Sequence, residues 1–188
     1  VYRQYDAPRT DQCSPPFAPI TDCLQYDEQF RTLVYASVEG DLGRAAESFA
    51  AAVSFQRQHE RRTRRRPASF VENGGRDDVN TVGAYARATS RRTPLGRGLT
   101  TRLRYGGDVY RDTLDSSAYT QFTDIKRLVK SSRGQYLQGS RYVTGGTFLE
   151  NELDVRGLAL VTTGARTGGA SASAPADAES GTTAVDQS

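Results

Sequence analysis

The sequence predicts an all-β fold, an antiparallel meander of about six strands that forms part of a large transmembrane β-barrel. Three observations predict it. Apolar residues recur with period 2 in successive stretches, the connections between those stretches alternate between short and long, and large aliphatic side chains are too sparse for a conventional core.

The chain has 188 residues, long enough for a domain with a buried core. Only 36% of them are hydrophobic, however; Trp and Met are absent, and 18 residues are Gly. Burial of apolar surface has to offset the entropy of ordering the chain, so the apolar residues are expected to face something other than a core. No run approaches the roughly 18 apolar residues that a membrane helix needs, whereas a membrane strand needs only about 9 to 11 and alternates its two faces. The net charge of +3, from 25 basic and 22 acidic residues, does not by itself imply a nucleic-acid partner. A first residue of Val1, with no Met and no leader-like segment, points to a piece of a longer product.

Residues 1–30 are polar and Pro-rich and read as a long loop. Residues 32–39 alternate, with Val34, Ala36 and Val38 on one side. Residues 48–58 would also suit a helix by their Ala content, but a helix would set Phe55 about 120° away from Phe49. A strand puts Phe49, Ala51, Val53 and Phe55 on one face, opposite Ser54, Gln56 and Gln58. After a polar stretch over 59–79, residues 80–90 alternate on Val82, Ala84, Ala86 and Ala88.

The clearest strand is 99–112. Leu99, Thr101, Leu103, Tyr105, Gly107 and Val109 share one face, and Arg102, Arg104, Asp108, Tyr110 and Asp112 share the other. A polar stretch over 112–140 leads to the strand at 141–155, with Val143, Thr147, Leu149, Leu153 and Val155 on its less polar side, and then to one at 158–166. Short turns are expected at 40–47, 91–98 and 155–157, and residues 167–188 read as a flexible loop or cut end. One economical end and one elaborated end is the asymmetry of a bacterial outer-membrane barrel. The expected organisation is a loop at 1–30, a partial barrel at 31–166 and the tail from 167.

Few motifs carry chemistry. Cys13 and Cys23, the two cysteines, read as a disulfide stiffening an exposed loop in an oxidising compartment, the alternative being two unpaired thiols. They lack the further ligands of a closed zinc site, and no metal is expected. Residues 57–66 are dense in arginine. Arg57, Arg61, Arg62 and Arg64, with His59, are candidates for contacting a polyanion such as the phosphates of lipopolysaccharide, because guanidinium groups bind phosphate bidentately. Nucleic acid is not the expected partner, since aromatic residues for base stacking are not interleaved. His59, the single histidine, is expected to be an exposed surface residue and not a catalytic base. No nucleophile and base pair suggests an enzyme, and no Gly-rich phosphate loop suggests a nucleotide cofactor; no cofactor is expected. Tyr35 and Tyr105 are candidates for an interfacial aromatic girdle.

The segments LVYASVEGDLGRAAESFAAAVSFQRQHERRTRRR, GAYARATSRRTPLGRGLTTRLRYGGDVYRDTLDSS and RGQYLQGSRYVTGGTFLENELDV resemble barrel strands of TonB-dependent outer-membrane receptors. The resemblance rests on strand-and-turn texture and on local phrases such as the stretch from Arg104 to Asp112. It implies a barrel of roughly 22 strands closed by an N-terminal plug. It further implies placement in the cell outer membrane among its lipids, and TonB-energised uptake of a scarce nutrient such as an iron chelate or haem. Neither a plug nor a TonB-contacting segment is found here, so those partners would belong to the full-length protein. On this reading Arg102, Arg104, Asp108, Tyr110 and Asp112 line the lumen and meet the plug or a passing anionic ligand; a cross-strand ion-pair ladder is the simpler role for each. The alternative to the receptor is a soluble secreted β-sandwich, a binding or adhesin-like module, which would bury one face of every strand against a second sheet.

Overall fold

The computed structural model describes residues 2–5, 23–43, 46–66, 69–131, 134–177, 181 and 183–187. Nearly all of them lie in β-strands, and they form one antiparallel sheet in meander order. The long strands are β2 (Cys23–Gly40), β3 (Ser48–Arg66), β4 (Val71–Thr89), β6 (Leu99–Phe122), β8 (Ser140–Val155) and β9 (Ala159–Ala174). Four short strands complete the sheet. β1 (Tyr2–Tyr5) pairs with β2, β5 (Thr93–Gly96) and β7 (Arg127–Ser131) flank β6, and β10 (Val185–Gln187) pairs with β9. Among the described residues the sheet is open, with β1 and β10 at its two edges.

The six long strands coincide with the six alternating stretches, but they run well past them. β3 and β4 consume almost all of the polar stretch 59–79, β6 continues to Phe122, β9 continues to Ala174, and β2 starts at Cys23 inside the expected first loop. Hydropathy marks these extensions poorly, because, taken together, they hold more polar and charged residues than apolar ones and no regular alternation of large apolar residues remains. They are held by main-chain pairing and by side-chain pairs across the ladder, such as Arg65 Nε to Glu72 Oε2 at 2.9 Å and Thr120 Oγ1 to Asn73 Oδ1 at 2.9 Å. The elaborated end of the sheet is therefore made of long polar hairpins, with a connection of only a few residues between β3 and β4.

The opposite end carries the short turns. Arg97 and Gly98 before β6, and Arg156 and Gly157 between β8 and β9, all take positive φ, as tight hairpins require to match strand twist. Asp154 Oδ1 accepts from the Gly157 amide at 2.8 Å and fastens the second of these turns.

Register decides which side chains meet. A single row across the sheet runs Val38, Ala51, Ala86, Gly107, Thr147 and Thr167. The next row runs Ala36, Val53, Ala84, Val109, Gly145 and Gly169. The apolar sides of all six strands thus fall on one face, here called the banded face, and merge into a continuous apolar band at the short-turn end. No second layer covers it among the described residues: Val53 is 60% exposed, and Val38, Phe55, Val82, Tyr105, Val109 and Leu149 are exposed too. Among the described residues the buried apolar ones are only Ala46 and Ala50. This sheet has no core.

Candidate functional site

Two features rise above the regular ladder: an ionic lattice on the face behind the apolar band, and a charged cluster beyond the band's upper edge on the banded face.

The ionic lattice contains all five residues expected to line a lumen. Arg102, Arg104, Asp108, Tyr110 and Asp112 alternate along β6 and share the face opposite the band. Arg102 donates to Glu47 Oε1 at 3.0 Å. Arg104 reaches Glu150 at 2.8 Å and Glu152 at 3.5 Å, and Arg166 of β9 reaches Asp108 at 2.7 Å. Tyr110 lies over Gly83 of β4, where a Cβ would collide with its ring. Asp112 stands in register with Thr81 and Tyr142. The lattice borders a hollow of about 810 Å³, whose wall includes Arg87, Arg102, Arg104, Phe148 and Glu150. The Nε of Arg102 is buried and has no acceptor among the described residues. The acidic partners Glu47, Glu150 and Glu152 and the basic Arg166 were not singled out in the sequence, although period 2 puts the last three on this face once the register is known.

The arginine-dense segment does not form one patch. In β3 the odd positions Arg57, His59 and Arg61 lie on the banded face, and the even positions Arg62 and Arg64 lie on the other. The expectation of an exposed His59 is also corrected: the residue is 5% exposed. Its Nδ1 lies 2.8 Å from Asp78 Oδ1 and its Nε2 lies 3.2 Å from Glu28 Oε2, so both ring nitrogens face a carboxylate. The ring stacks on Phe30 at 4.7 Å, and Arg57 covers the same phenyl ring at 5.8 Å. Asp78 binds Arg57 at 2.8 Å through the oxygen that His59 uses, and Arg76 at 2.7 Å through the other. Arg61 binds Glu28 at 3.0 Å.

This cluster lies beyond the apolar band, outside the stretch of β4 that carries Val82 to Ala88. There burial alone would raise the Asp78 carboxyl, but hydrogen bonds from His59, Arg57 and Arg76 override burial and hold it below the ordinary carboxylate range. The sequence signal that could have found the cluster was Asp77 and Asp78 following the arginine run across a single hairpin.

Tyr105 lies on the banded face in row with Phe49 and Leu149, inside the band and six residues from its Leu99 end on β6. Tyr35 pairs with Ser54 and lies on the opposite face, so it takes no part in an aromatic girdle on the banded face. Cys13 lies outside the described residues, and Cys23 opens β2 with its side chain also outside them. Among the described residues no group of side chains able to hold a metal ion is found, and no helix is long and apolar enough to cross a membrane.

No family model matches this chain, and no curated protein or solved structure is significantly similar to it.

Proposed function

We propose that this chain is a section of the wall of an outer-membrane β-barrel, of the kind found in TonB-dependent receptors, and that it serves the uptake of a scarce nutrient. One observation carries the membrane part of this reading: a continuous, uncovered apolar band on one face of a single-layer sheet whose other face is ionic. Water on both faces would leave the band's apolar area unburied, and contiguous exposed apolar patches of that extent mark contact with lipid or protein. Lipid on one side and a wet lumen on the other satisfies both faces at once. The receptor family is supported by the resemblance of the strand phrases, and the nutrient, an iron chelate or haem, follows from that family alone.

The ionic lattice would then line the lumen. The unfilled acceptor position at Arg102 Nε and the hollow beside it suit an acceptor brought by a plug or by an anionic ligand. In the full-length protein the plug and the TonB complex would gate passage; this section supplies wall and charge, not chemistry.

The test is refolding of the chain with and without phosphatidylcholine vesicles, with circular dichroism for strand content and intrinsic tyrosine fluorescence, quenched by brominated lipid, for insertion. Strand formation that requires lipid, with quenching, is the expected outcome. A cooperative, monomeric β fold in plain buffer would overturn the proposal and favour a secreted sandwich.

A further inference from the structure

We infer that the upper rim of the banded face is a docking surface for the phosphate-bearing headgroups of membrane lipid, an inference that rests on the membrane reading above and names the lipid chemistry it selects. Three of four neighbouring long strands put a guanidinium on this face just past the last apolar side chain, and the fourth carries one farther out. Arg57 follows Phe55 by two positions on β3, Arg111 follows Val109 on β6, and Arg141 precedes Val143 on β8. On β4 the equivalent group, Arg76, lies farther out, beyond Asn80 and Asp78. Strands lie about 4.8 Å apart, so these cations form a belt along one edge of the band and not a point site.

Arg111 and Arg141 matter most. Arg111 is opposite Val82 and Val143, and Arg141 is opposite Thr113, so the two arginines are diagonal neighbours with no acidic residue directly across from either. Diagonal pairs on one face are about 7–8 Å apart, within the reach of long side chains. Both are exposed, and neither has a hydrogen-bond or ion-pair partner among the described residues. The acids facing the belt are Glu28, Asp78 and Asp115. The first two are engaged by Arg61, Arg57, Arg76 and His59, and Asp115 lies diagonal to Arg141 without pairing with it. The belt therefore keeps uncompensated positive charge, two like charges that an anion between them would relieve.

A phosphate fits guanidinium geometry bidentately. The apolar band beginning one residue pair away selects an amphiphile over a free anion, because acyl chains cover the band while the arginine stems run over it and lift their charged ends to headgroup level. Arg62 and Arg64, equally basic in sequence, lie on the other face and are excluded from this surface.

The experiment compares the full chain in vesicles of pure phosphatidylcholine with vesicles carrying one part phosphatidic acid to four of phosphatidylcholine, and reads the partition coefficient. The double variant Arg111→Gln with Arg141→Gln is expected to partition into pure phosphatidylcholine as the parent does. It is expected to lose about 10- to 30-fold of the gain that phosphatidic acid confers on the parent, with each arginine near an anionic surface contributing at the usual scale. Arg62→Gln, on the opposite face at the same end of the sheet, is expected to keep the full gain. An undiminished gain in the double variant, or an equal loss in Arg62→Gln, overturns the docking surface and leaves the membrane reading standing. A parent chain that enters neither vesicle overturns both.

Discussion

Asp78 shows how much one residue organises at this end of the sheet. Its two oxygens take Arg57, His59 and Arg76, groups that come from two strands and include two guanidiniums that would otherwise repel each other. Asp78→Asn removes the charge and leaves those donors around a neutral amide. It is expected to lower stability by about 1.5–3 kcal/mol, the usual scale for hydrogen bonds to a charged group, read as a shift of the urea midpoint in vesicles. The pH dependence follows from the same contacts. A carboxyl held below its unfolded value contributes fully above that value, and the contribution is lost as pH falls through the folded one. Stability is therefore expected to hold down to about pH 4–5 and to fall below the ordinary value of 3.8, with Asp78→Asn showing a smaller acid loss than the parent. None of this was legible from His59 alone. A solitary histidine in a basic run reads as solvated, and only the β3–β4 register brings a carboxylate opposite it.

At the scale of the strand, alternation makes sharp demands on neighbours. Val53 and Ser54 are adjacent in β3 yet face opposite sides, Val53 in the middle rows of the band and Ser54 behind it. Val53→Arg is expected to cost about 2–4 kcal/mol in bilayers, the penalty for a cation at mid-depth on a lipid face, whereas Ser54→Arg is expected to be close to neutral. A matching cost for both variants in urea titrations would contradict the assignment of faces. β6 makes a different demand at Gly106. A side chain there would run into the Ala86 carbonyl and the Arg87 backbone of β4, and into the ring of Phe148 on β8. Backbone cannot give way as a flexible side chain can, so Gly106→Ala is expected to cost about 1–3 kcal/mol in the same titration.

At the scale of the whole molecule, the band's height is set by strand geometry. On β6 it runs from Leu99 to Val109, ten steps along the strand. At about 3.3 Å per residue this is roughly 33 Å along the strand, and at a barrel tilt of about 40° it projects to roughly 25 Å, the height of an outer-membrane apolar band. Strand content and resistance to urea are accordingly expected to peak in bilayers with a hydrocarbon core near that thickness and to decline in vesicles of longer-chain lipid. Insensitivity to acyl length across a phosphatidylcholine series would argue that the band is covered by protein.

The sequence by itself determined the fold class and the faces. Six alternating stretches became six long strands, and each apolar set, from Val34 and Val38 to Leu149 and Val155, lies on the side that period 2 assigns, because alternation is a local property of an extended chain. The charged set on the other face of β6 was legible for the same reason. Strand length was not. Where polar residues predominate, as in residues 59–79, no regular hydropathy contrast distinguishes a ladder from a loop, and main-chain pairing with a neighbour decides. Tertiary structure alone decided which strands meet in which row. Register merged six separate apolar stripes into one band and divided the arginine run between two faces. It also enclosed His59 between Glu28 and Asp78, since contacts between residues distant in sequence depend on pairings that no single strand specifies.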